Sequence, residues 1–126
     1  FLSDVAPHPG VISLKGFLID PEFCLVMEFC AGGGLDTIVR EVEFANWQRV
    51  AVLQQVSAAM AHVHSVGVIH RDLKADNVML LHPFAPGAAL VTKVGDFGLG
   101  KRLSSGHQAD SPIMPDGYQP GPWYAP

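Results

Sequence analysis

Cysteine is nearly missing from this sequence of 126 residues: there are two, Cys24 and Cys30. Both lie in an apolar run that reads as a buried strand and its exit. A reduced intracellular setting, cytoplasmic in kind, is therefore expected rather than a disulfide framework. Charge is also sparse, at 16% of residues, and the net charge of −4 gives no cationic surface for nucleic acid or an anionic membrane. No apolar run reaches the ~18 residues of a membrane-spanning helix, and no charged-then-apolar leader is visible. Internal repeats are absent. What remains is globular in character, since 48% of residues are hydrophobic, which can fill an interior and argues against disorder.

The chemistry gathers in two short stretches. The first is His70-Arg71-Asp72-Leu73-Lys74-Ala75-Asp76-Asn77, and Asp96-Phe97-Gly98 follows nineteen residues after Asn77. The first places a carboxylate, an ammonium and an amide at i, i+2 and i+5 on what reads as a short loop. The second adds a carboxylate just before a glycine. Each residue alone would pass as a turn or cap residue. Together they are the groups needed to handle a polyphosphate and its metal. The pair resembles the catalytic loop and metal-binding turn of protein kinases.

That resemblance extends along most of the chain. His8-Pro9-Gly10-Val11-Ile12-Ser13-Leu14-Lys15-Gly16 resembles the entry to the fourth strand of the kinase small lobe, although alone it is a proline turn before any strand. Residues 1–7 read as the end of a preceding helix. Asp20-Pro21-Glu22 is a turn signal, and Phe23 to Phe29 is a nearly unbroken apolar run that suits a strand buried on both faces. Met27-Glu28-Phe29-Cys30-Ala31-Gly32-Gly33-Gly34 then stands where kinases have their gatekeeper and hinge. Taken alone it is an ordinary glycine-rich loop. The resemblance makes Met27 the gatekeeper and sets the backbone of Glu28 and Cys30 against adenine.

Leu35 to Arg40 reads as a short helix. Asn46 is a good N-cap for a long one. Val50, Leu53, Val56, Met60 and Val63 recur at three- and four-residue steps, which predicts a core-facing stripe. Gly67 suits the helix end because it tolerates positive φ. His62 and His64, two apart on a helix, point in different directions and do not make a metal pair. Val78 to Leu81 and Leu90 to Gly95 read as partner strands, and the resemblance puts Met79 under the adenine ring. His82 to Ala89 reads as a surface insertion without assignable chemistry, and residues 99–126 as a polar activation segment.

By resemblance the fold class is α+β, a partial protein-kinase-like fold. Its expected parts are small-lobe strands in 1–27, a hinge in 28–34 and a large-lobe portion in 35–126, with catalytic loop 70–77 and activation segment 96–126. The implied ligands are ATP and Mg²⁺. Asp72 and Lys74 would be catalytic, Asn77 and Asp96 would hold the metal, and Met27, Glu28, Cys30 and Met79 would line the nucleotide site. His70 and Phe97 would stack, with Leu14, into a spine joining the lobes, while Arg71 would pair with a phosphate on the activation segment. Ser104, Ser105, Ser111 and Tyr118 are the hydroxyls there. Lys74, two residues after Asp72, resembles Ser/Thr kinases, and the sequence style is closest to the tyrosine-kinase-like group.

The family's glycine-rich phosphate loop, strand lysine and helix glutamate would precede Phe1, and its lower helices would follow Pro126. The chain is thus expected to be the middle of a kinase domain and inactive alone. Three positions depart from the pattern: Gly34 replaces an acidic residue, Pro120 replaces a threonine, and no glutamate ends Gly121-Pro122-Trp123-Tyr124-Ala125-Pro126. Two expectations follow. One is a kinase that phosphorylates Ser/Thr hydroxyls of a protein substrate. The other is a pseudokinase or truncated interaction module that keeps the fold without efficient transfer.

Overall fold

The computed structural model describes Val5, residues 7–98 and residues 100–102. Strand β1 (Leu14–Leu18) pairs antiparallel with β2 (Cys24–Met27), from Leu14 opposite Met27 to Leu18 opposite Cys24, with a bulge between Leu14 and Gly16. The Asp20–Pro21 bond in the connecting turn is cis. The expectation that Phe23 to Phe29 is buried on both faces is corrected here. All four residues of β2 are exposed, and Phe23 and Phe29 reach 69% and 84% exposure. Among the described residues β2 pairs with β1 alone, and no residue of either strand is buried. The apolar run marks a surface that could be covered, and does not by itself supply the cover. Cys24 is exposed with its strand, whereas Cys30 beyond it is buried.

The chain then enters a three-stranded sheet, in the order β3 (Gly33–Gly34), β5 (Val78–Leu80), β6 (Thr92–Val94). Gly32 is held where its Cβ would collide with the backbone of His82 and with Leu80, so only glycine passes so close to the end of β5. Helix α1 (Leu35–Glu41) follows at once. Asp36 in its first turn and Arg40 in its last suit the helix dipole, and their side chains meet at 2.8 Å.

Helix α2 (Asn46–Ser65) is the longest element. Its N-cap is Ala45, one residue earlier than expected, and Asn46 is already helical. Alanine has no acceptor to offer, so Gln48 does the capping: its Oε1 accepts from the Ala45 N–H at 3.0 Å. The buried stripe also differs from the one the spacing predicts. Gln48, Val52, Ala59 and Val63 face inward, while Val50 and Leu53 are 53% and 66% exposed. Two polar residues explain the error, because Gln48 and Gln55 occupy the inner face and bond to the chain packed there. Gln48 Nε2 donates to the Ala88 carbonyl. Gln55 Nε2 donates to the Leu90 carbonyl at 2.8 Å, and its Oε1 accepts from the N–H and hydroxyl of Thr92. A hydrophobicity count cannot rank such amides as core. The helix stops as expected, with Gly67 at φ 74° and its N–H on the His64 carbonyl.

Residues 82–89 are mostly exposed, yet they are anchored. Phe84 stacks on the buried Phe44 at 5.2 Å between ring centroids, and the Ala88 carbonyl is fixed by Gln48. Two apolar clusters flank α2. Val5, Val11, Ala59, Val63, Val68, Val78, Val94 and Phe97 form one, and Ile38, Phe44, Val52, Leu80 and Leu90 the other, with Val56 packed against both. The first cluster seats β5 and β6 on the helix and so fixes the loops at their ends. Strands β4 (Val68–Ile69) and β7 (Lys101–Arg102) pair beside it. No helix is long and apolar enough to cross a membrane, among the described residues.

The segment before β1 is joined to both β6 and α2. The Val94 N–H donates to the Gly10 carbonyl (2.7 Å), and the Ile12 N–H donates to the Val94 carbonyl (2.9 Å). His8 stacks on His62 of α2 at 4.6 Å, His8 Nδ1 accepts from the Gly10 N–H, and His62 Nε2 meets the Val5 carbonyl. Burial, then the neighbouring His62 and Lys93, hold His8 below its ordinary value.

Two outcomes follow for stability. Gln55→Leu leaves the Thr92 N–H and the Leu90 carbonyl without their partner, and should lower unfolding free energy by about 2 kcal/mol in urea titrations. His8 binds its proton more readily unfolded than folded. Its contribution is therefore complete above about pH 6.5 and declines as pH falls through the lower folded value. The urea midpoint should drop between pH 7.5 and 5.5, and His8→Gln should shrink that drop.

Candidate active site

The loop after β4 is built around His70, which is buried. Its Nδ1 accepts from the Asp72 N–H (3.2 Å), so the ring proton sits on Nε2, which meets the Gly95 carbonyl at 2.8 Å. The same ring packs on Phe97 with centroids 4.6 Å apart. One imidazole thus joins the first chemical stretch to the second. Arg71 and Asp96 both hold positive φ, 65° and 53°, conformations that cost a non-glycine residue energy unless their surroundings impose them. The two strained positions flank the candidate chemistry.

Asn77 lies at the end of a 3₁₀ turn (Ala75–Asn77) and is buried. Its Nδ2 donates to the Asp72 carbonyl at 2.8 Å and to Asp72 Oδ2 at 3.0 Å. Its own carbonyl accepts from the Gly95 N–H at 2.9 Å. Asn77 therefore fixes the Asp72 carboxylate on one side and the backbone leading into Asp96 on the other. Lys74 Nζ reaches Asp72 Oδ2 at 2.9 Å. The Asp72 hydrogen bond, and then the charges of Asp72, Asp76 and Asp96, push the Lys74 amine above its usual value. Asp96 is exposed, and its Oδ1 accepts from the Gly98 N–H. Asp72, Lys74 and Asn77 are thus in direct contact, and the backbone leading into Asp96 is tied to Asn77.

The donor set suits a hard divalent cation. Both amide donors of Asn77 are spent on Asp72, which leaves its Oδ1 unbonded among the described residues, and Asp96 keeps Oδ2. No three His, Cys, Asp or Glu side chains are close enough to hold a metal, among the described residues. Oxygen donors of this kind suit a hard cation that completes its shell with water or other oxygens.

The nucleotide residues take positions beside β5. Met79 on that strand is half-buried, with its Cε 3.1 Å from where a Cβ on Gly95 would stand. The Ala31 and Gly32 N–H groups donate to the Leu81 and Leu80 carbonyls, so the glycine stretch runs against the end of β5. The Glu28 carbonyl and the Cys30 N–H have no hydrogen-bond partner among the described residues, which leaves open the two groups expected to meet adenine. Burial raises the Cys30 thiol, and so does the nearby Glu28 carboxylate. Met27 ends β2 opposite Leu14 and is 42% exposed. Burial would raise the Glu28 carboxyl, but hydrogen bonds from Lys93 and from the Ser13 N–H outweigh it and hold it below its usual value. Ser13 and Asp76 lay inside recognised stretches without a role of their own, and Lys93 had no motif to mark it. Ser104, Ser105, Ser111, Tyr118 and Pro120 lie outside the described residues.

Comparison with known proteins identifies the family. The model of the protein kinase domain family matches residues 1–124. The chain is 40% identical over 96 residues to human calcium/calmodulin-dependent protein kinase type IV, covering 75% of this chain and 20% of that protein. It is 39% identical over 102 residues to human ribosomal protein S6 kinase alpha-2, covering 79% and 14%. It is 37% identical over 115 residues to a calcium and calcium/calmodulin-dependent serine/threonine-protein kinase of Lotus japonicus, covering 90% and 21%. Among such relatives the chain spans between 4% and 21% of their length. With a family model across nearly its whole length, and the loop at His70 folded onto Gly95 and Phe97, the chain belongs to the protein kinase domain family.

Proposed function

We propose that this chain carries the central catalytic machinery of an ATP-dependent protein kinase that phosphorylates Ser/Thr hydroxyls of a protein substrate. The observation that carries the proposal is the double role of Asn77, which binds Asp72 through its side chain and Gly95 through its carbonyl. Asp72 accepts the proton of the substrate hydroxyl and orients its oxygen, so most of its effect is positioning. Its carboxylate is steadied for this by Asn77 and Lys74. The exposed ammonium of Lys74 is free to swing toward a phosphoryl oxygen and offset its charge. Asn77 Oδ1 and the Asp96 carboxylate are the groups that would hold Mg²⁺. When bound, that ion would neutralise phosphate charge and polarise the transferring group. The open backbone groups of Glu28 and Cys30 would bond the adenine edge, with Met79 beneath the ring and Met27 as gatekeeper.

The sequence spacing of Asp72 and Lys74, and the serine/threonine-protein kinase named among the relatives, favour a Ser/Thr acceptor. We also assign residues 1–27 to the small lobe, 28–34 to the hinge and 35–126 to the large lobe, with the activation segment at 96–126. A cytoplasmic protein substrate fits this reading.

In the complete gene product, Asp72→Asn should lower phosphate transfer to a generic protein substrate by roughly 100- to 10,000-fold while nucleotide still binds. Activity equal to the parent would overturn the role of Asp72. Asp96→Ala should raise the Mg²⁺ needed for half-maximal transfer by at least ~10-fold, since loss of even an indirect metal partner has that effect. An unchanged Mg²⁺ titration would remove Asp96 from the metal site.

A further inference from the structure

A lysine that no motif marks is joined inside the fold to a glutamate of the expected hinge. Lys93 lies on β6, three residues before Asp96, and its side chain is only 9% exposed. Its Nζ meets Glu28 Oε1 at 3.1 Å, and the Glu28 side chain is 20% exposed. The other carboxylate oxygen, Oε2, accepts from the Ser13 N–H at 3.2 Å, while the Glu28 N–H donates to the Ser13 carbonyl at 2.8 Å. Glu28 is therefore held by side chain and main chain at once, from β6 and from the stretch before β1. Its carbonyl is one of the two open groups at the adenine position. A lysine this enclosed is retained at a cost unless its partner is well placed, and removing one member of such a pair is strongly felt.

We infer that the Lys93–Glu28 pair is a clamp that fixes the hinge backbone for adenine, which makes Lys93 a positioning residue for nucleotide binding. The inference rests on the kinase reading for its ligand, but the geometry of the clamp does not need phosphate transfer. Fixing a backbone before the ligand arrives spares the ordering that binding would otherwise require. Because Lys93 sits on the strand that leads to Asp96, the clamp also ties the base-binding end of the site to its metal-binding end. Its loss should weaken nucleotide capture and leave the chemical step to Asp72 and Lys74.

Lys93→Met keeps the apolar stem and removes the charge, and Lys93→Arg restores a cation. In the complete gene product, Lys93→Met should speed amide hydrogen exchange at residues 28–31 by ~10-fold or more. It should also raise the KM for ATP about 3- to 10-fold with kcat within twofold of the parent, and Lys93→Arg should recover most of both. Hinge exchange and ATP KM equal to the parent in Lys93→Met would overturn the clamp. If Lys93→Met does not fold, Glu28→Gln, which keeps the side-chain shape and removes the partner charge, should speed the same hinge exchange, and an unprotected hinge in the parent itself overturns the proposal. A parent that transfers no phosphate would sink the kinase reading alone, because altered hinge exchange and altered affinity for a fluorescent ADP analogue would still uphold the clamp.

Discussion

The site depends on one carboxamide. Asn77 donates twice to Asp72 and accepts, through its main chain, from Gly95. Of the three, only the bond to Asp72 Oδ2 meets a charged group, contributing about 1.5–3 kcal/mol against about 1 kcal/mol for each of the others, and more is lost if a buried donor is left unmatched. That is enough to hold an acidic loop together against the repulsion of Asp72, Asp76 and Asp96. Lys74 supplies a compensating charge at short range, on Asp72. The carboxylates can therefore stay close while keeping oxygen atoms free for a cation.

The fold places this carboxamide by packing that is itself indifferent to chemistry. Val78 and Val94 pair across β5 and β6, sit in the cluster against α2, and thereby set Asn77 beside Gly95. His70 repeats the join from the other side, through the Gly95 carbonyl and the Phe97 ring. Two links of independent origin thus close on the same short segment. A shift of β6 along β5 would break both, so strand register and catalytic geometry are one constraint. The same sheet carries Lys93 toward Glu28, which extends the constraint from the metal end to the hinge.

What could be read from the residues was whatever rests on spacing. Asp72, Lys74, Asn77 and Asp96 have side chains whose chemistry has meaning together; the first three are in contact, and Asn77 is bonded to the backbone beside Asp96. Gly67 was legible because only a residue tolerant of positive φ ends a helix that way. The inner face of α2 was legible in part: Val63 is buried and Val56 and Met60 pack against the core, but Gln48 and Gln55 turn inward by virtue of partners at Ala88, Leu90 and Thr92, residues about 35 to 40 positions away. Phe84 gave the same lesson. It looked like loop, and its role as an anchor comes from Phe44. The exposed β2 strand failed in the opposite sense: its apolar pattern says what the surface prefers, and the pattern cannot say what covers it. Lys93 was missed because its partner Glu28 is distant in sequence and carries a different expected role.

The central claim is that the Asn77 side-chain oxygen and the Asp96 carboxylate face one cation. It is tested most directly by adding Mn²⁺ and a non-hydrolysable ATP analogue to the complete, isotope-labelled protein. Paramagnetic broadening should be strongest at Asn77 and Asp96, and should weaken with distance along α2. Broadening centred elsewhere, with the signals of Asn77 and Asp96 left sharp, would contradict the account.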